Sequence, residues 1–153
     1  MGEVLSKVAS VAPDVIVTAT LVVGTRGQDF VEITREVQRF VAESGVKNGA
    51  LLLFMRHTSA SLVIQENADP DVRTELATAL DRLAPAGAGW VHDAEGPDDM
   101  PAHIKAMLAG VSLQVPVIDG APALGTWQGI YVVEHRARPH RREVVLQLIG
   151  SRH

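Results

Sequence analysis

Three histidines, His57, His92 and His103, lie near the ends of predicted elements or in polar loops. Imidazole suits both general acid–base catalysis and metal ligation. Three imidazoles with an open fourth position are a known pattern of catalytic zinc. No two of these residues have a close metal spacing such as H-x-x-x-H, so the fold would have to assemble the site. The alternative interpretation is that each histidine is a separate surface or hydrogen-bonding residue.

Asp99 precedes His103 by four residues, ahead of a short helix predicted from Pro101 to Leu108. If that helix starts one turn early, the two side chains share a face. Asp99 would then orient the imidazole, as carboxylates do behind ligating or catalytic histidines. The alternative is that Asp98 or Asp99 caps the helix, which is the commoner use of an aspartate at such a position.

A hydroxyl-rich patch follows His57 at Thr58, Ser59 and Ser61, and these groups are candidates for binding an oxyanion or phosphate. The alternative is a polar turn between two strands. No G-x-S-x-G motif is present, which argues against a serine hydrolase. Glu66, at the end of the second strand, is a candidate base or metal ligand, or a solvated carboxylate.

The densest positive cluster contains Arg136, Arg138, Arg141 and Arg142 in a predicted loop from 135 to 142. In a chain of net charge −4 this cluster predicts an anionic ligand or a partner's carboxylates, with surface solubility as an equal alternative. Gln128 lies on the strand face opposite Trp127 and is a candidate for hydrogen bonding to a ligand. No Walker or G-x-G-x-x-G loop is present.

The composition bounds the class of protein. A chain of 153 residues with 46% hydrophobic and 21% charged residues is expected to form one soluble domain, residues 1–153. The negative net charge argues against a nucleic-acid partner. The absence of cysteine excludes thiol chemistry. No apolar run is long enough to span a membrane, and we expect a cytoplasmic protein.

The elements that must position these residues follow from periodicity and turn signals. We predict strands at 15–23, 50–55, 61–66, 111–118, 125–134 and 144–149. We predict helices around 33–44, capped by Asp29 or Thr34 and ended by Gly45, from Asp69-Pro70 to Leu83, and from Pro101. About six strands and three helices predict an α+β domain with a mixed, mainly antiparallel sheet or sandwich. Two strands in succession before a helix argue against a doubly wound fold.

Three blocks of the sequence, HTSASLVIQENADPDV, EGPDDMPAHIKAML and LGTWQGIYVVEHR, closely resemble the YjbQ family, also known as UPF0047. Members are often labelled secondary thiamine-phosphate synthases. The resemblance implies an α+β homotrimer. It also directs attention to the polar positions of the blocks, which are His57, Thr58, Ser59, Ser61, Glu66, Asn67, Asp98, Asp99, His103, Trp127, Gln128, Glu134, His135 and Arg136, with His92 just ahead of the second block.

Three functional hypotheses follow. The first is a low-activity thiamine-phosphate synthase-like enzyme acting on phosphorylated small molecules. Arg136 and Arg141 or Arg142 would bind diphosphate, Glu66, Asp98 and Asp99 would hold a divalent metal such as magnesium, and His57 or His103 would move a proton. The second is a zinc-type enzyme of unknown substrate, with His57, His92 and His103 around the metal. The third is a non-enzymatic trimeric binding or regulatory module.

Overall fold

The computed structural model describes residues 2–153, which form eight strands and three helices. In order they are β1 (Val15–Thr25), β2 (Asp29–Glu32), α1 (Thr34–Ser44), β3 (Asn48–Met55), β4 (Ala60–Glu66), α2 (Pro70–Leu83), α3 (Asp99–Ala109), β5 (Ser112–Ile118), β6 (Ala121–Pro122), β7 (Gln128–Glu134) and β8 (His140–Ser151). The predicted α+β class with three helices is confirmed. No helix among these residues is long and apolar enough to cross a membrane.

A five-stranded antiparallel sheet, ordered β1-β8-β3-β5-β6, forms one half of the domain. Its inner face carries alternate apolar residues of β3, which stand opposite alternate apolar residues of β8. Leu51 faces Leu148 and Leu53 faces Leu146, and all four are almost fully buried. Burial of each such side chain contributes about 1.5–3 kcal/mol to the stability of the fold.

The second sheet has three antiparallel strands in the order β2-β7-β4. Its central strand β7 is buried along nearly its whole length, which explains the run of apolar residues from Ile130 to Val133. Ala60 pairs with Glu134 at one end of this sheet, and Glu66 pairs with Gln128 at the other. This register decides which of the predicted site residues lie close together.

The predicted end of α1 and the predicted start of α2 are confirmed, whereas the predicted cap at the start of α1 is not. Gly45 ends α1 in the left-handed conformation, with φ 73°, and Asp69 caps α2 by accepting from the Asp71 N–H. The predicted cap of α1 by Asp29 or Thr34 is wrong. Asp29 lies in β2 and Ile33 occupies the cap position, while the Thr34 hydroxyl donates to Glu32 instead.

Helix α3 begins at Asp99, two residues before the predicted start at Pro101. This places Asp99 and His103 one turn apart on the same helix, as the early-start interpretation predicted. Asp98 occupies the cap position without making a side-chain cap hydrogen bond. Both aspartates are therefore free of the capping role that was the competing interpretation.

Two short strands were not predicted, and several strand boundaries differ from the prediction, those of β7 and β8 by the most. The four-residue β2 and the two-residue β6 are too short to show an alternating pattern. β7 begins at Gln128 rather than at Gly125. β8 begins at His140 rather than at Val144, because His140 pairs with Thr25 and extends the ladder through polar residues. The predicted arginine loop is therefore shorter, and Arg141 and Arg142 lie on a strand.

Candidate functional site

The predicted site residues fall at opposite ends of the three-stranded sheet. The strand β4 spans about 20 Å, since an antiparallel strand rises about 3.4 Å per residue. His57, Thr58 and Ser59 precede its first residue, whereas Glu66 is its last residue and Asn67 follows it. The helix α3 packs against β4 and brings His103 to Thr58 at the first end. The structure therefore separates two groups that the sequence placed together.

The first end holds a compact group of potential metal ligands formed by His92, Asp99 and His103. Their ligand atoms all lie within 4.8 Å of one another. Asp99 Oδ2 lies 2.6 Å from His92 Nε2 and 3.2 Å from His103 Nε2, and the two imidazole ring centroids are 5.4 Å apart. The Asp99 side chain is 2% exposed, while those of His92 and His103 are 51% and 32% exposed. A buried carboxylate thus supports two accessible imidazoles.

The tautomer of His103 follows from the hydrogen bond that its Nδ1 makes with the Thr58 carbonyl. His103 Nδ1 lies 3.0 Å from the Thr58 carbonyl oxygen, which can only accept, so Nδ1 carries a proton. In neutral His103 the Nε2 atom then has a lone pair, and it faces the Asp99 carboxylate at 3.2 Å. Two acceptors that face each other require a cation between them. Either a second proton on the imidazole or a bound metal ion meets this requirement.

Arg136 fixes the other oxygen of Asp99. Its Nη1 donates to Asp99 Oδ1 at 2.7 Å, its Nε to Asp98 Oδ2 at 3.0 Å, and its Nη2 to the Glu95 carbonyl at 2.9 Å. Burial raises the pKa of Asp99, but the hydrogen bond from His92 and the charges of His103 and Arg136 outweigh it and hold the pKa below its usual value. Asp99 is therefore ionised at neutral pH.

Asp98 holds the loop after β7 rather than facing the imidazoles. Its Oδ2 also accepts from the Ala137 N–H at 2.8 Å. Burial raises the pKa of Asp98, but the hydrogen bonds from Ala137 and Arg136 outweigh this effect and hold the pKa below its usual value. Asp98 and Asp99 together neutralise Arg136. The guanidinium that was predicted to bind an anionic ligand is thus already engaged by two carboxylates.

His57 lies outside the group of His92, Asp99 and His103. Its Nε2 accepts from the Glu143 N–H at 2.8 Å, which fixes the proton of the neutral ring on Nδ1. Burial, followed by the charge of Arg142, lowers the pKa of His57 below its usual value. His57 is therefore a neutral donor. It lines the same pocket as Thr58 and His103.

Ser59 and Ser61 are buried, in contrast to the exposed Thr58. Ser61 Oγ is hydrogen-bonded to His135 Nε2 at 2.7 Å, and neither residue is more than 2% exposed. Burial and then the charge of Lys105 lower the pKa of His135 to about 4. Ser61 and neutral His135 therefore form a hydrogen-bonded pair in the protein interior, whereas Thr58 is exposed at the surface.

A buried ion pair joins the two sheets next to these serines. Arg142 donates to both carboxylate oxygens of Glu134, with Nε to Oε1 at 2.8 Å, and its Nη2 also donates to Ser59 Oγ at 2.9 Å. Thr25 donates to Glu134 Oε1 at 2.6 Å. Burial raises the pKa of Glu134, but the hydrogen bonds from Arg142 and Thr25 outweigh it and lower the pKa. Arg142 therefore holds the fold, while Arg141 is exposed.

The far end of the three-stranded sheet holds Glu66, Asn67 and Gln128. Glu66 Oε2 accepts from the Asp69 N–H at 3.1 Å, and Gln128 Oε1 accepts from the Gly125 N–H at 2.7 Å. Asn67 Nδ2 donates to Glu32 Oε2 at 3.4 Å. These three predicted residues therefore stabilise local turns and neighbouring strands, about 20 Å from His103 by the length of β4.

Three participants escaped the sequence analysis in their observed roles. Asp99 was predicted to orient His103 or bind substrate, and the structure also places it against His92. Its spacing to His103 was the available signal, whereas the contact with His92 depends on an irregular loop. Glu32 and Thr25 had no signal, because a single acid or hydroxyl in a strand has no characteristic pattern.

A sequence profile described as UPF0047 protein YjbQ-like matches residues 19–151 of this chain. The chain belongs to the UPF0047 YjbQ-like family. A UPF0047 protein of Synechocystis is 49% identical over 132 residues, which cover 86% of this chain and 90% of that relative. The family predicted from the three sequence blocks is therefore confirmed.

Solved structures of this family share the fold. A YjbQ/UPF0047 protein from Clostridium acetobutylicum, described as uncharacterized, is 39% identical with a TM-score of 0.77, covering 87% of this chain and 99% of that one. A protein of unknown function from Sulfolobus solfataricus has a TM-score of 0.80 at 24% identity, covering 89% and 99% of the two chains. Its likeness supports the α+β architecture.

Proposed function

We propose that this UPF0047 protein is a metal-dependent enzyme acting on a small molecule, with the metal held by His92, Asp99 and His103. The observation that carries the proposal is the pair of facing acceptors, His103 Nε2 and Asp99 Oδ2, at 3.2 Å. Their separation suits two ligands of one ion, since zinc binds nitrogen and carboxylate oxygen at about 2.0–2.2 Å.

The surrounding contacts support this ligand set. Metal-binding histidines commonly donate their second N–H to a backbone carbonyl, as His103 does to Thr58. Ligating carboxylates are in turn hydrogen-bonded, as Asp99 is to Arg136. Two imidazoles and one carboxylate favour zinc or another transition metal over magnesium, which prefers oxygen ligands. A metal with an open coordination position supplies Lewis acidity and lowers the pKa of bound water.

The chain's own residues have separate tasks in this proposal. Arg136 holds Asp99 in place and keeps it ionised. The Thr58 carbonyl orients the His103 ring so that Nε2 points to Asp99. His57 stays neutral and offers its Nδ1–H to a bound molecule, because Nε2 is occupied by the Glu143 N–H. The ion pair of Glu134 with Arg142 fixes the loop from which Thr58 projects, because Arg142 also donates to Ser59.

Metal binding is tested with the chain purified without chelators. We expect about one zinc ion per chain by elemental analysis and a saturable zinc isotherm by calorimetry. Replacing His103 or His92 by alanine should weaken zinc binding about 100-fold or more, since each removes one of three protein ligands. His153→Ala is the matched control, because His153 is 88% exposed at the chain end. Equal zinc binding by His103→Ala and His153→Ala would refute the proposed centre.

The thiamine-phosphate synthase-like transfer stays a prediction of the family resemblance. It requires cations for the diphosphate leaving group. Arg136 and Arg142 are engaged by carboxylates, which leaves the exposed Arg138 and Arg141 among the predicted arginines for a phosphorylated ligand. Thiamine-phosphate formation by the purified protein, compared with His57→Ala and Arg141→Ala, tests this hypothesis. Activity that is unchanged in both variants contradicts the residue roles assigned from the sequence.

We also propose that the chain assembles as a homotrimer in the cytoplasm. Apolar side chains on the outer face of the five-stranded sheet support assembly, since Ile16 and Val22 are 63% and 45% exposed. Sedimentation equilibrium measures the mass, and cell fractionation measures the location. The non-enzymatic alternative predicts that His57→Ala or His103→Ala dissociates the trimer. Retention of the trimer with loss of zinc favours the enzyme proposal instead.

A further inference from the structure

A pocket of about 720 Å³ adjoins the proposed metal centre, between the end of β3, the His57–Thr58 turn and the C-terminal half of α3. Its size lies within the range of about 300–1,000 Å³ that is typical of small-molecule sites. His103 belongs both to this lining and to the metal-ligand group. A molecule in the pocket therefore lies beside the proposed metal.

Most of the pocket wall is apolar. Phe54 and Met107 contribute large side chains that are 50% and 76% exposed, and Met55, Ala106 and Val111 complete the same wall. An apolar group placed here would gain about 25 cal/mol for each Å² removed from water. The thioether of Met107 is flexible and adapts to rings of different shape. The wall therefore favours a ligand with a hydrocarbon or aromatic portion.

The polar end of the pocket offers two neutral donors, the His57 imidazole and the exposed Thr58 hydroxyl. His57 Nε2 accepts from the Glu143 N–H, and no second hydrogen bond of His57 occurs within residues 2–153. Within those residues, every buried side-chain nitrogen or oxygen has a hydrogen-bond partner. Because His57 Nδ1 has none, it is not buried and is accessible to solvent. Nδ1–H therefore needs an acceptor that a ligand oxygen can supply.

In the absence of a bound metal, the side-chain charges around the pocket do not favour a phosphate. Arg56 is the one cation in the described lining, and it pairs with Glu143 at 3.1 Å. Arg136 and Arg142 are held by Asp98, Asp99 and Glu134. A phosphate dianion depends on charge-assisted hydrogen bonds from several free cations. A carbonyl oxygen needs only one or two donors, and the pocket supplies that number.

We infer that the pocket binds an apolar small molecule that carries an uncharged carbonyl oxygen, which accepts from His57 Nδ1–H beside the metal centre. As a substrate assignment this rests on the proposed metal-dependent function. It names an aldehyde-, ketone-, ester- or amide-type ligand in place of the diphosphate predicted from the sequence. Met107 and Phe54 cover the apolar portion of that ligand.

Three probes of similar size separate the contributions: acetophenone has the carbonyl, ethylbenzene lacks it and phenyl phosphate replaces it by a dianion. Each is titrated into the full ¹⁵N-labelled chain, with and without zinc, while amide shifts are recorded. We expect acetophenone to shift the Thr58 and Met107 amides saturably. In the zinc-free chain, where no metal charge attracts the phosphate, it should bind about fivefold or more tightly than either other probe, as one hydrogen bond predicts. Tighter binding of phenyl phosphate at these amides of the zinc-free chain overturns the inference.

Two neighbouring residues of α3 give a matched pair of variants. Met107 lines the pocket, whereas Leu108 is 53% exposed and lies outside the described lining. Met107→Ala should weaken acetophenone binding about tenfold, since it removes the apolar cover of one ligand face, and Leu108→Ala should not. Equal effects of the two variants contradict the assigned wall. His57→Phe, which removes the donor, should abolish the preference for acetophenone over ethylbenzene.

The two proposals fail separately in this experiment. A chain that takes up no zinc but prefers acetophenone refutes the metal centre and upholds the ligand class. A chain that takes up zinc but shows no preference for acetophenone refutes the ligand class and upholds the centre. The amide spectrum of each variant also reports whether it has folded, and the probe series on the unaltered chain does not depend on any variant.

Discussion

Acid should destabilise this protein through His135, and the structure sets the size of the effect. His135 is 2% exposed and is hydrogen-bonded to Ser61, and its pKa falls from 6.5 to about 4, first because of burial and then because of Lys105. One pKa unit corresponds to about 1.36 kcal/mol. The difference between the folded and unfolded states is therefore worth about 3 kcal/mol in the free energy of unfolding.

The direction of the effect follows from proton uptake. Between the unfolded value of 6.5 and the folded value of about 4, unfolded His135 is protonated while the buried imidazole remains neutral. The unfolded state binds the extra proton, so stability falls as the pH falls through this window. Below about 4 both states are protonated and the contribution levels off. The lowered pKa of Glu134 adds a further loss of stability once the pH falls below the ordinary glutamate value of 4.5, because the unfolded carboxylate then takes up a proton first.

Urea unfolding followed by circular dichroism, at one protein concentration and at several pH values, measures this contribution. His135→Gln keeps a polar atom near the position of Nε2 but cannot titrate. Its free energy of unfolding should decline about 3 kcal/mol less than that of the unaltered chain from neutral pH to about pH 4. His153→Gln is the control, because His153 is 88% exposed. Parallel pH profiles for His135→Gln and the unaltered chain would refute the buried neutral state.

Two further predictions concern close contacts in the second sheet. A Cβ at Gly129 would lie 3.0 Å from both Asn67 Cβ and the buried Tyr131 ring, which cannot swing aside freely, so Gly129→Ala should cost about 1–3 kcal/mol of stability in urea unfolding. Gly24→Ala, which meets nothing within 4 Å, should not show this steric cost, and equal losses would contradict the crowding. Glu134→Gln leaves a buried arginine without its charge partner and should cost about 3 kcal/mol or more. Glu143→Gln alters a pair that is about half exposed and should cost about 1 kcal/mol or less; a reversed order of the two losses would contradict the burial argument.

The elements that the sequence predicts well are those whose signals are local. The apolar run that ends at Met55 became β3, and Asp69 followed by Pro70 opened α2 as predicted. The spacing of Asp99 and His103 indicated a shared helix face, because α-helical geometry alone determines it. Such features need no knowledge of how distant segments pack.

The parts that escaped prediction depend on distant pairings. Arg142 was grouped with the exposed arginines, because its burial against Glu134 follows only once β8 pairs with β1 through His140. Glu66 is near His57 in the sequence, but β4 lies between them and carries Glu66 to the opposite end of the sheet. His92 meets Asp99 through an irregular loop, which has no periodic signal.

The central claim is that His92, Asp99 and His103 hold a metal ion, and anomalous diffraction from zinc-soaked crystals tests it most directly. We expect an anomalous peak at the zinc edge about 2.0–2.2 Å from the Nε2 atoms of His92 and His103 and from an Asp99 oxygen. His103→Ala crystals soaked in the same way should lack the peak. The claim would be contradicted if no anomalous density appeared between His92, Asp99 and His103 at saturating zinc, and Asp99 were hydrogen-bonded to a protonated His103 instead.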